Sequence, residues 1–450
     1  MTNLLPPQIL DLYKFLAPVL SPILSPAWQI FKFWWWLPLP FILWKPLSFF
    51  WRWWRTDIFL KKTKFILLEI RIPKEVLKPI RAMETVIDGL WQIIYDVGGW
   101  WERWIDGKIL LSYSFEIASI GGETHFFVRI PEVSRDPIES AIYSQYPDAE
   151  ISIAEDYTKY VPQDIPNKDW DIWAADYKLL KRNPYPIRTY SKFETEREAL
   201  EEKRIDPLAG LLEAMAKIKP GEQLWVQIVA GPVSNDEIPW VIEAEKTRDE
   251  LAKRTKKVPT ERPMILEAAD ILITGEVPGK PEKEEKELIP PEMKLTPGER
   301  EILIGVEQKM SKRGFNTSIR FIYLGKRDVF FKPNLRLVLG FFSVFCTQDL
   351  NSLVPWGKTL TKIHKSWFLP INLLLNRRLY LRKRAIFRKY RLRVHPLFPR
   401  NPCWPSGFIL NTEELASVFH FPGRKVAPAP FVERVEAKKG EAPPGLPTES

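Results

Sequence analysis

From Phe65 onward the apolar positions recur with two different periods, and the period assigns each segment. Phe65 to Ile72 reads as a strand. Lys74 to about Tyr95 places Val76, Leu77, Ile80, Met83, Ile87, Leu90 and Ile94 at the 3.6-residue spacing of an amphipathic helix. Leu111, Tyr113, Phe115 and Ile117 then alternate with Ser112, Ser114 and Glu116. After Gly121-Gly122 the alternation resumes at Phe126, Val128 and Ile130, which predicts a hairpin. A short helix from about Asp136 to Tyr146 and a strand near Glu150 to Ala154 complete the order βαββαβ over residues 64–160, that of a ferredoxin-like module.

A second α/β module is expected over residues 185–350, beginning near Ile187. Asp206 can cap a helix with Pro207 at its first position and Leu208, Leu211, Leu212 and Met215 on its buried stripe. Pro220-Gly221 ends that helix, and Leu224, Val226 and Ile228 start a strand. A charged insertion, 236–297, interrupts the pattern. It comprises a surface helix from Asp236 to about Lys257 and a Pro/Glu/Lys linker from Glu276 to Pro297. The pattern resumes with a helix from Pro297 (Ile302, Leu303, Val306, Met310) and a strand alternating at Phe315, Thr317, Ile319, Phe321 and Tyr323. This amounts to a second ferredoxin-like unit with one strand unaccounted for. The predicted fold class is α+β, an N-terminal membrane segment followed by one or two ferredoxin-like (βαββαβ) modules with insertions.

The first 60 residues follow neither period. Phe15 to Phe31 carries no charge, and after Lys32 the apolar run continues through Trp34, Trp35, Trp36 and Trp44 to Trp51. The start lacks a basic region and the run has no small-residue cleavage site, so a secretory signal fits poorly. A membrane anchor over 1–60 is the expectation. Pro18, Pro22 and Pro26 would kink a first helix, which leaves one span, two spans or a re-entrant hairpin open. Arg52, Arg55, Lys61, Lys62 and Lys64 follow the run and mark its cytoplasmic side, while Trp51, Trp53 and Trp54 suit the headgroup boundary. The loop Gly98-Gly99-Trp100-Trp101-Glu102-Arg103-Trp104 has two readings, packing over the sheet edge or dipping into the bilayer interface.

Composition sharpens this division. Eight of the 19 tryptophans lie in the first 54 residues. Of the net +10, residues 350–412 supply +13 with no acid and residues 1–64 supply +6, which leaves the rest of the chain at −9. Two cysteines exclude a disulfide framework, and Cys346 in its apolar run reads as a reduced, buried thiol. Four scattered histidines make a histidine metal site improbable. Gly357-Lys358-Thr359 lacks the upstream glycine of a phosphate loop, because Ser352 stands there. The carboxylates from Glu194 to Glu202 read as a solvated run, so no catalytic residue is nominated, and neither cofactor nor metal is expected.

The basic region, 351–425, holds the strongest chemical signal. Arg377, Arg378, Arg382, Lys383, Arg384, Arg388, Lys389, Arg391 and Arg393 put nine positive charges within 17 residues, interleaved with Tyr380, Phe387 and Tyr390. Such a run can neutralise nucleic-acid phosphates and stack bases, bind anionic lipid, or face a protein partner or solvent.

Several short stretches add a resemblance. They are Tyr146-Pro147-Asp148-Ala149-Glu150-Ile151, Asp206-Pro207-Leu208-Ala209 with Lys219-Pro220-Gly221-Glu222-Gln223, and Asn411-Thr412-Glu413-Glu414-Leu415-Ala416 leading into Phe419-His420-Phe421-Pro422-Gly423. In this order they resemble the non-ATPase amino-terminal region of bacterial conjugation-type coupling ATPases of type IV secretion systems, over roughly residues 65–447. The Pro-rich tail, 426–450, looks like the linker that runs into the ATPase of fused relatives. The resemblance implies a non-catalytic scaffold or adaptor at the bacterial cytoplasmic membrane, its bulk cytoplasmic. Its expected partners are membrane lipid and a separate P-loop ATPase, with DNA and a second copy of the chain left open. The alternative is a membrane-tethered nucleic-acid-binding protein using the 377–393 cluster. His420 is expected to be structural.

Overall fold

The computed structural model describes residues 32, 39–73, 78–193, 206–234, 238–252, 295–331, 333, 335–363, 374–393 and 407–422. Pro18, Pro22, Pro26, Trp34, Trp35, Trp36, the Glu194 to Glu202 carboxylates, most of the Pro/Glu/Lys linker and the 426–450 tail lie outside them. The chain divides into two compact units, one of residues 1–62 with 98–109, the other of residues 63–97 with 110–450.

The smaller unit contains α1 (Leu39–Lys62) and a π-helical turn, Glu102–Asp106. The larger begins with β1 (Phe65–Arg71), α2 (Ile80–Ile94), β2 (Tyr113–Ile120), β3 (Glu123–Pro131), α3 (Arg135–Gln145) and β4 (Glu150–Ala154), the predicted order. Gly121 and Gly122 turn the β2–β3 hairpin with φ of 62° and 102°, the positive values that a two-residue loop of type I′ requires at both positions.

The second half departs from expectation at its start. Its first strand is β5 (Trp170–Leu179), upstream of the expected boundary near Ile187. Ile172, Ala174 and Asp176 alternate with Trp173, Ala175 and Tyr177, and both faces are buried, so the hydrophobic contrast that marks a half-exposed strand is missing. There follow α4 (Tyr190–Phe193), α5 (Ala209–Ala216), β6 (Glu222–Pro232), α6 (Trp240–Leu251), α7 (Pro297–Ser311), β7 (Gly314–Lys326), α8 (Leu335–Ser343) and β8 (Leu353–Pro355). Asp206 accepts a hydrogen bond from Leu208 N at 2.7 Å, but the helix begins only at Ala209. No strand forms near Ile187; β5 takes that place, the strand left unaccounted for is β8, and the insertion separates β6 from β7. The last elements are α9 (Leu375–Leu392), β9 (Phe408–Asn411) and α10 (Thr412–Val418).

All nine strands form one sheet in the order β4-β1-β3-β2-β6-β7-β5-β8, with β9 added to β7. Every pairing is antiparallel. The two halves repeat one arrangement, 4-1-3-2 in strands β1 to β4 and again in β5 to β8, and meet where β2 pairs with β6. Alternation sends Phe115, Ile117, Val226, Ile228, Phe321 and Tyr323 to one face, where α2, α3, α5, α8 and α10 cover them. The opposite face carries Leu67, Ala118, Phe127, Trp225 and Ile322. Tyr157, Val161 and Ile165 of a connecting loop, and Ile386, Phe387 and Tyr390 of α9, close over it. Cys346 is only partly buried, its thiol directed at the Phe342 carbonyl at 3.3 Å.

Candidate functional site

Helix α9 is built from strong helix formers, with no glycine or proline among its 18 residues. Its charges oppose it, because Arg378–Arg382, Arg384–Arg388 and Arg388–Arg391 are like-charge neighbours, each costing about 0.2–0.5 kcal/mol. Burial of Ile386, Phe387 and Tyr390 contributes about 1.5–3 kcal/mol apiece and wins. The sheet adds carboxylates beneath the helix. Lys383 Nζ lies 2.5 Å from Asp171, and Lys389 Nζ lies 4.0 Å from Asp176, which also faces Arg320 Nε at 3.2 Å.

Arg393 completes the attachment. It ends the helix in the left-handed region, φ 48°, with its N–H bonded to Tyr390 O. Its guanidinium donates to Glu116 through Nε (2.7 Å) and Nη2 (3.1 Å), and to Asp156 through Nη1 (2.7 Å) and Nη2 (3.0 Å). Ser114 Oγ, Tyr157 Oη and Gln227 Nε2 also donate to Glu116. Burial alone would push the Glu116 carboxyl up, but the Arg393 charge and these hydrogen bonds outweigh it and hold it below the usual carboxylate value. Asp156 is lowered in the same way, burial opposing and the Arg393 hydrogen bonds prevailing. Arg129, beside the same network, is pushed down to about 10, first by burial and then by the Arg393 charge.

The sign of this linkage gives a prediction. A carboxyl depressed on folding stabilises the native state above its ordinary value, about 4, and loses that contribution as pH falls below it. The thermal midpoint should therefore drop between pH 5 and pH 3, and a midpoint that rises on acidification would contradict the network's role.

The outward side of α9 is different. Arg377, Arg378, Arg384 and Arg388 are exposed, and Arg382 and Arg391 are half-buried against backbone carbonyls. None of these six meets a carboxylate among the described residues. Two grooves lie beside α9, and three of the six, Arg384, Arg388 and Arg391, line them. One, of about 960 Å³, lies between the first half of α9 and the 164–171 loop and includes Lys168, Arg327, Tyr380, Lys383 and Arg384. The other, of about 350 Å³, is lined by Gln163, Arg384, Phe387, Arg388, Arg391 and Leu392.

The nine predicted phosphate contacts therefore divide. Arg393 is corrected to a core residue, because its side chain is 3% exposed and saturated by Glu116 and Asp156. Lys383 is held by Asp171, Lys389 lies over Asp176 at 4.0 Å, and six arginines remain outward. Sequence reasoning missed Glu116, Asp156, Asp171 and Asp176. The available signal was the acid-free run itself, since a helix so charged needs carboxylates opposite it.

In the smaller unit, Ile42, Leu43, Trp44, Leu47, Phe50, Trp51, Trp53 and Trp54 are all exposed on α1, as are Trp100 and Trp101 on the loop. The loop packs against α1. Trp51 Nε1 donates to the Trp104 carbonyl at 2.9 Å, Arg55 Nε donates to the Ile105 carbonyl, and Arg52 stacks over the Trp104 ring at 5.5 Å. Gly107 fits this contact with φ 75°, where a Cβ would overlap the Arg55 carbonyl. Among the described residues no helix is long and apolar enough to cross a membrane. Helix α1 contains Lys45, Arg52, Arg55, Asp57, Lys61 and Lys62 within 24 residues, which interrupts the apolar stretch a span requires.

The motifs that carried the resemblance converge inside the larger unit. Phe421 meets the Tyr146 ring edge-on at 5.2 Å, and Phe419 packs on Phe115 at 5.0 Å. His420 links Ala416 O (3.0 Å) to Asp206 Oδ1 (2.8 Å), a core clasp. Asn411 and Glu414 form a capping box, and the Glu414 carboxylate pairs with the fully buried Lys309 at 3.0 Å. Their roles here are in packing and capping.

One family model matches residues 68–352, described as Domain of unknown function (DUF8128). No curated protein matches the chain. The matched span holds most of the sheet and leaves α1 and α9 outside.

Proposed function

The chain belongs to the DUF8128 family, and from that premise we propose that it is a non-catalytic, membrane-tethered scaffold of a type IV secretion-like transfer apparatus, working with a separate P-loop ATPase. The observation that carries the tether is the aromatic surface of the smaller unit. Twelve large apolar side chains stand exposed on α1 and the 98–104 loop, among five bases and one acid on α1. Water does not tolerate such a patch well, whereas an interfacial helix buries it in the headgroup region and places its bases against anionic lipid. The tether is read as lying in the interface, with the larger unit on the cytoplasmic side. The repeated 4-1-3-2 strand order supports reading that unit as two fused ferredoxin-like modules. The order of the motifs from Tyr146 to Gly423 supports the ATPase partner.

The test is isolation of the chain from detergent-solubilised membranes. The expected result is recovery of a P-loop ATPase in defined ratio, and a pull-down without any ATPase would contradict the scaffold reading.

A second reading has its own support. The six outward arginines of α9 favour a polyanion contact, so the scaffold also binds nucleic acid.

A further inference from the structure

We propose that the two grooves along α9 form one continuous track for single-stranded nucleic acid. This rests on the nucleic-acid reading above and gives it a site, a strand type and a set of contacts.

The grooves share Arg384, so they are consecutive parts of one channel. Their volumes, about 960 and 350 Å³, lie within or near the range of small-ligand sites, about 300–1,000 Å³, and suit individual nucleotides. The smaller groove contains three arginines and no carboxylate. The larger contains Asp164 and Asp171, but Lys383 engages Asp171 at 2.5 Å and Arg327 approaches it at 3.9 Å. Two of the arginines are already positioned. Arg384 Nη1 donates to the Tyr380 hydroxyl at 3.1 Å, and Arg391 lies over the Phe387 ring at 5.6 Å while donating to the Gln163 carbonyl at 3.4 Å. Ordering these long side chains before the ligand arrives removes part of the entropic cost of binding.

Helical geometry aligns the contacts. Arg377, Arg384, Arg388 and Arg391 fall within about 60° of one another around the helix and span about 21 Å along it, at 100° and 1.5 Å per residue. Tyr380, 41% exposed, stands beside the same stripe and offers a ring for base stacking. Concavity decides between polyanions. A bilayer or a duplex presents a broad surface that reaches only the rim arginines, whereas a single strand can place phosphates on the arginines and a base against Tyr380.

The test uses the full-length chain with fluorescein-labelled 20-nucleotide oligo-dT and oligo-U, a 20-base-pair duplex, and phosphatidylglycerol-containing vesicles as competitor. The two single strands should bind with similar affinity, since the sugar makes no demanded contact, and both should bind more tightly than the duplex. The logarithm of affinity should fall with the logarithm of salt by about 3 to 4 if four to six phosphates are engaged. The triple variant Arg384→Gln, Arg388→Gln, Arg391→Gln should reduce that slope by about 2 and weaken binding by about tenfold or more at low salt. Tyr380→Leu, which leaves the charge untouched, should weaken it at least about fivefold. Lys217→Gln, at the exposed residue that follows α5, should change nothing.

Oligonucleotide binding that is indifferent to both α9 variants would overturn the track while leaving the nucleic-acid reading standing. Absence of binding at low salt would overturn both. Equal affinity for duplex, or complete displacement of the strand by vesicles with retained thermal midpoint, would assign the face to duplex or to lipid and overturn the proposal.

Discussion

Replacing Arg393 by alanine should destabilise the sheet unit by about 3–5 kcal/mol, the range for removing one partner of a buried ion pair. Glu116 is completely buried, and Arg393 supplies two of its five hydrogen bonds and its only opposite charge within bonding distance among the described residues. Without the guanidinium, Ser114, Tyr157 and Gln227 still donate, but the charge has no counterion. Asp156 loses its two bonds as well, though it is partly exposed and water can replace them. Arg393→Lys should rescue little, since one ammonium cannot reproduce a fork to two carboxylates. Adding Glu116→Gln to Arg393→Ala should recover part of the loss, because it removes the stranded charge. Chemical denaturation of the single and double variants measures this directly. A loss below about 1 kcal/mol, the level of an exposed pair, would show that the network does not hold α9.

Gly107→Val should have the second large effect, confined to the smaller unit. The φ of 75° is costly for a β-branched residue, and the added Cβ would overlap the Arg55 carbonyl, a backbone atom that cannot swing aside. The 98–106 loop should leave α1, breaking the Trp51–Trp104 and Arg55–Ile105 hydrogen bonds. Limited proteolysis should then cut within 98–109 while the melting of the sheet unit is unchanged. Gly99→Ala, where nothing lies within 4 Å, is the matched control and should stay protected. Equal cleavage of both variants would contradict the lock.

What could be read in the sequence depended on contrast between faces. The β2–β3 hairpin and α2 were legible because their apolar positions keep a clean period and a Gly-Gly turn. Strand β5 was not, because Ala174, Ala175 and the inward Asp176 erase the alternation. Glu116 looked like a solvent-facing residue between Phe115 and Ile117. It is instead the floor of a charged layer that only long-range folding reveals, since α9 lies some 270 residues downstream. The nine bases of 377–393 were visible as a cluster, but composition could not say that Arg393 turns inward while Arg388 turns out. That division follows from the helix ending at Arg393 in a left-handed conformation over the Glu116 and Asp156 carboxylates. The tryptophan loop was singled out from its composition, and its partner, α1, was not, because the contact runs through backbone carbonyls that any sequence possesses.

The membrane tether is the claim on which the scaffold reading turns, and flotation tests it most directly. The full-length chain, mixed with vesicles containing about one-third phosphatidylglycerol, should rise with the lipid through a density gradient. It should remain lipid-bound in high salt through its buried tryptophans, and be released by detergent. A chain that stays at the bottom of the gradient with anionic vesicles at low salt would contradict the account.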